Sequence, residues 1–123
     1  MDYVVYELAR IMNVGELVHV IDAMCGTWRT NPVATVERIR AAALEARNVF
    51  GKKNLLTALD LAHDKVGSPQ ETRLRLHIVG AGLPTPLVCT PIQLPRAEQL
   101  YHPDLAYRGA RIAIEYELSL IHI

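Results

Sequence analysis

The chain has 123 residues, with 13 basic and 13 acidic side chains and half of its residues hydrophobic. That length suits one domain, or one domain with a helical extension, and it buries a modest core. A formal net charge of zero excludes the global electrostatic footprint of a tight non-specific nucleic-acid binder, leaving only a local basic face open.

From Tyr3 to about Met24, Val4, Leu8, Ile11, Leu17, Val18 and Ile21 recur at helical spacing, with a turn or kink at Asn13-Val14-Gly15. Trp28 to Pro32 reads as a loop, and Pro32 suits the first turn of a second helix. Val36, Ile39, Ala43 and Ala46 carry that helix to about Asn48, where Gly51 closes it. Leu55, Leu56, Leu59 and Ala62 mark a third helix, ending near Lys65. Residues 1–66 are therefore expected to form a helical extension without internal repeats.

Gly67 is a break. Ser68 has the character of an N-cap, Pro69 sits at the first helical position, and Glu71 completes a capping box by spacing. The helix runs through Leu74, Ile78 and Ala81 as an amphipathic element and stops at Gly82 before Leu83-Pro84. Beyond it the hydrophobic period changes to two. Strands are predicted over Leu87–Leu94, with Pro91 marking an edge or bulge, then over Leu100–Tyr107 and Arg111–Glu117. Tyr107-Arg108-Gly109-Ala110 reads as the tight turn between the last two. The expected class is α+β: an N-terminal helical segment, then a helix and a three-stranded antiparallel meander packed on it.

Cys25 and Cys89 form no metal-type pair, and no signal-peptide pattern is read, so a reduced cytoplasmic setting is expected. The longest apolar runs are too short to cross a bilayer, so no membrane partner is expected.

The chemistry-bearing pattern is Pro103-Asp104 followed by Glu115-Tyr116-Glu117. Strand alternation puts Ile112, Ile114 and Tyr116 on one face and Arg111, Ala113, Glu115 and Glu117 on the other. Asp104, on the neighbouring strand, joins the carboxylates if the hairpin register allows. Acidic groups so gathered repel unless a cation neutralises them. Magnesium takes about six oxygen ligands, usually one or two of them protein carboxylates. The alternatives are plain: a solvated strand face for Glu115 and Glu117, a strand-end residue after proline for Asp104, and helix capping for Glu71. Arg73 and Arg75 begin the same helix as Glu71. Arg75 is spaced to pair with Glu71, and either arginine is suited to a phosphate. His102 adjoins the acidic motif and is a candidate substrate contact. His19, His63 and His77 show no ligand spacing and read as ordinary surface or core histidines.

Ser68-Pro69-Gln70-Glu71-Thr72-Arg73-Leu74-Arg75, Ala81-Gly82-Leu83-Pro84-Thr85-Pro86, Asp104-Leu105-Ala106-Tyr107 and Ile112-Ala113-Ile114-Glu115-Tyr116 form a set. As a set they resemble the very-short-patch-repair-like endonuclease domains of the PD-(D/E)xK superfamily, of the actinobacterial type. The resemblance covers the C-terminal two-fifths of the chain. It implies a nuclease core over residues 67–117, a divalent metal such as Mg2+ held by Asp104 and Glu115, and Glu71 as a helix-borne acidic partner. It also implies DNA as the partner. Superfamily members usually place lysine two residues after the second acid, and this family tends to place aspartate there; this chain has Glu117. The helical half is similar to the region that, in such proteins, follows a winged-helix segment of abortive-infection antitoxin type, and that segment is missing here.

The family continues with a glycine and a histidine where this chain reads Leu118-Ser119-Leu120-Ile121-His122-Ile123. One back-translation of those residues matches a transposase end sequence used in library preparation. Residues 118–123 are accordingly expected to be an adapter-derived tail on a truncated fragment, with the nuclease core incomplete and inactive as it stands. The competing expectation is a non-catalytic DNA-binding or antitoxin-like regulator that keeps a nuclease fold. A sheet cut after its third strand exposes an edge and invites self-association.

Overall fold

In the computed structural model, five helices precede a small antiparallel sheet, an α+β architecture described over residues 2–27, 31–47, 49–92 and 100–115. The helices are α1 (Asp2–Ala9), α2 (Val14–Cys25), α3 (Val36–Glu45), α4 (Lys52–Leu61) and α5 (Pro69–Gly80). The strands are β1 (Leu87–Val88), β2 (Leu105–Tyr107) and β3 (Ile112–Ile114), in the order β1-β2-β3.

The expected interruption near Asn13 is a full helix boundary. The Asn13 side chain accepts from the Glu16 backbone N–H at 2.8 Å, and the Glu16 carboxylate accepts from the Asn13 N–H at 3.1 Å. This reciprocal capping satisfies two donors that α2 otherwise leaves open. The start of α3 moves from Pro32 to Val36. Thr35 caps it by accepting from Arg38 N–H at 3.2 Å, and the Val36 N–H finds the Asp64 carboxylate at 2.7 Å. Long-range satisfaction of a helix-end donor by Asp64 is invisible to local spacing. Gly51 stands at the N-cap of α4 with φ +81°, beside the end of α1, so it opens the next helix; α3 already stops at Glu45.

Val5, Leu17, Val18, Ile21, Ile39, Leu55 and Leu59, none more than 1% exposed, form the centre of the helical core. Each contributes on the order of 1.5–3 kcal/mol by leaving water. Val66, Val88 and Leu105 form a second, smaller cluster under the sheet.

Half of the expected capping box at α5 is present: Ser68 Oγ accepts from Glu71 N–H at 3.3 Å, while the Glu71 carboxylate takes the Gly67 N–H in place of the Ser68 N–H; Pro69 opens the helix, and Gly82 follows its end at φ +85°. Its packing differs from a one-faced amphipathic helix. Leu76 lies against the helical core, whereas Leu74 and Ile78 lie against the sheet cluster. α5 is thus the partition between the two.

The strands are shorter than their hydrophobic patterns. Cys89 takes φ +44° and leaves the ladder after Val88. Among the described residues, pairing returns after Pro91 as an Ile92–Tyr101 bridge. Residues 93–99, with the remainder of the expected first strand, lie outside the described residues. The fully buried Pro103, which has no N–H to give a ladder, separates Tyr101 from β2. Arg111 adopts φ +57° and donates its N–H to the Arg108 carbonyl at 3.1 Å, so the turn takes Arg111 and β3 begins one residue later. Among the described residues, no helix is long and apolar enough to cross a membrane.

Candidate functional site

The β2–β3 ladder pairs Leu105 with Ile114, Ala106 with Ala113 and Tyr107 with Ile112. One step beyond Leu105 and Ile114, the same register sets Asp104 opposite Glu115 at the ladder's end. Both lie one residue outside their strands; strand alternation carried that one step further assigns them the face opposite Leu105 and Ile114. Leu105 is 1% exposed in the cluster beneath the sheet, with Ile114 packed beside it. The apolar face is thereby committed to α5, and the two acids belong to the other. Asp104 is anchored through its carbonyl, which accepts from Cys89 N–H at 3.1 Å. The Glu115 carboxylate accepts a hydrogen bond from the Tyr101 hydroxyl. Tyr101 was not singled out by sequence; its hold on Glu115 depends on the Ile92–Tyr101 bridge.

Glu71 belongs to a different place. Its carboxylate accepts from Gly67 N–H at 2.9 Å, one residue before the cap, and so completes the α5 terminus. Among the described residues, no three His, Cys, Asp or Glu side chains gather to hold a metal ion, so Glu71 does not form a trio with Asp104 and Glu115. Two carboxylates are nonetheless what a magnesium site commonly draws from a protein, with water and phosphate oxygens completing the shell. Asp104 and Glu115, each one residue outside its strand at the same end of the ladder, offer two such carboxylates. Glu117 lies outside the described residues. His102 is exposed, two residues from Asp104, and Arg73 is exposed on α5.

Arg75 lies elsewhere again. It is 3% exposed and pairs with Asp22 at 2.6 Å, not with Glu71. Asp22, 1% exposed on α2, is the polar centre of the molecule and escaped the sequence reading. Its Oδ1 accepts from His63 N–H at 2.8 Å, and its Oδ2 accepts from the Thr72 hydroxyl at 2.7 Å as well as from Arg75 Nη2. Arg75 Nη2 also donates to the Leu61 carbonyl at 2.9 Å, while Nη1 is buried without a partner among the described residues. A signal did exist: Asp22 follows Leu17, Val18 and Ile21 on the stripe of α2 that faces the core. A carboxylate there demands a cation and further donors.

Burial lowers the His63 pKa from its ordinary value, and the Arg75 guanidinium adds to the effect; the Asp64 and Asp22 carboxylates oppose it. The Cys25 thiol is pushed up to about 12, first by burial and then by the Asp64 and Asp22 carboxylates. It is a packing residue and not a nucleophile at neutral pH. Comparison of the chain with family models, with curated proteins and with solved structures returned no match.

Proposed function

We propose that this chain carries part of a divalent-metal phosphodiesterase site acting on DNA, with Asp104 and Glu115 as the metal ligands. What supports the reading is the β2–β3 register: its last pair is Leu105–Ile114, and Asp104 and Glu115 are the residues next to that pair. A bound magnesium ion would polarise a phosphodiester and lower the pKa of an attacking water. Tyr101 orients the Glu115 carboxylate, the Cys89 N–H fixes the backbone at Asp104, and His102, exposed two residues from Asp104, is assigned to the substrate. Glu71 contributes by holding the α5 terminus. The proposed setting is the cytoplasm, in keeping with the free state of Cys25 and Cys89.

Two measurements test this reading. Manganese added to the chain should broaden the NMR signals around Asp104 and Glu115, and Asp104→Asn should abolish the broadening. Plasmid cleavage in magnesium should fall at least about a hundredfold in the same variant. Equal cleavage by Asp104→Asn and wild type would refute the assignment. DNA binding without cleavage in magnesium would select the non-catalytic, regulatory alternative.

A further inference from the structure

His19 on α2 and Arg73 and His77 on α5 surround an open cleft of about 300 Å³ floored by Leu76. Arg73 and His77 stand four apart and share one face of α5. The buried links from Asp22 to Thr72 and Arg75 hold α2 against that helix, which brings His19 across to them. Among the described residues, no carboxylate lines the cleft. Arg10, Arg40 and Arg75 each have an acidic partner, whereas the side chains of Arg73, His19 and His77 have no hydrogen bond or ion pair among the described residues. On a chain of zero net charge this is a local concentration of unspent donors.

A second cleft of about 230 Å³ shares the His19 wall and continues the groove between the two helices; Val20, Ala23, Pro69 and Thr72 complete it. One end of the groove therefore offers a guanidinium and imidazole N–H donors, and the other an almost wholly apolar lining. Arginine's fork and imidazole N–H groups match the oxygens of a phosphate. The apolar end suits a flat, weakly polar group attached to that phosphate.

We infer that the α2–α5 groove is a nucleotide-binding site, with the phosphate between His19, Arg73 and His77 and the base toward Val20, Ala23 and Pro69. The nucleotide is either free or one unit of a single strand. The site stands on its own charge and shape, whether or not Asp104 and Glu115 bind a metal.

The test follows the ring C–H signals of His19 and His77 by NMR in the full chain, during titration with adenosine monophosphate, adenosine and a short single-stranded oligonucleotide. Adenosine monophosphate should move both signals saturably, and adenosine should bind at least about tenfold more weakly. Arg73→Gln and His77→Gln, both at exposed positions, should each weaken the monophosphate without altering the circular dichroism spectrum. Tighter, strongly salt-dependent binding of the oligonucleotide identifies a strand as the occupant; monophosphate binding that is equal or tighter identifies a free nucleotide. Equal affinity for adenosine and its monophosphate, undiminished binding by Arg73→Gln, or unmoved histidine signals with all three ligands would each overturn the site.

Discussion

His63 shows how one residue's surroundings set a property that its sequence neighbours do not. Its ring Nδ1 accepts from Lys65 N–H at 3.1 Å, and both burial and the Arg75 guanidinium disfavour its charged form. Its pKa in the folded chain lies below the ordinary 6.5, so the unfolded chain takes up the proton more readily. This contribution to stability is complete above the ordinary value and is lost as the pH falls through the lowered one. The thermal midpoint of wild type should therefore drop between about pH 7 and pH 5, and His63→Gln should flatten the drop. Identical pH profiles would show that His63 does not govern it. The same contrast separates Arg73 from Arg75. Both follow Glu71 within one turn, and both are spaced for a phosphate, yet one is exposed and the other is enclosed on Asp22. Spacing along one helix does not say which side another helix will cover.

At the scale of elements, the start of α5 was legible, whereas the caps of α2, α3 and α4 and the strand lengths were not. Ser68, Pro69 and Glu71 act within a few residues of one another, so their spacing suffices. β1 and β2 are cut short by a left-handed Cys89 and a buried Pro103, whose conformations answer to the packing around them. Gly51 is the sharpest element-level constraint. A Cβ there would lie 2.2 Å from the Ala9 carbonyl oxygen, in a backbone conformation that side chains resist. Gly51→Ala should lower stability by more than about 1 kcal/mol in urea unfolding. Gly80, with open space around it at the end of α5, should respond in the opposite sense, gaining up to about 1 kcal/mol as alanine. A neutral result at Gly51 would mean that α1 and α4 can separate at no cost.

For the whole molecule, the Asp22–Thr72–Arg75 links fasten the helix shared by the two apolar clusters. Removing one member leaves the other as an unpaired buried charge. Asp22→Ala should cost about 3–5 kcal/mol, and hydrogen exchange should quicken in α2 and in the β2–β3 ladder together. Asp22→Leu combined with Arg75→Met should recover most of that loss, because the desolvation penalty then disappears with the charges. A loss confined to the helices would show that the clusters unfold independently.

By itself the sequence determined the α+β class, the order of helices then strands, the capped start of α5 and the candidate status of Asp104 and Glu115. Each rests on hydrophobic period or on groups a few residues apart, which any local stretch of chain reveals. Only the tertiary structure decided that Asp104 and Glu115 adjoin the same end of the β2–β3 ladder, and that the Glu71 carboxylate takes the Gly67 N–H. It alone carried Arg75 to Asp22 and gathered His19, Arg73 and His77 around one cleft. These are meetings between residues up to 58 positions apart, and their partners are chosen by which apolar faces must be buried against each other.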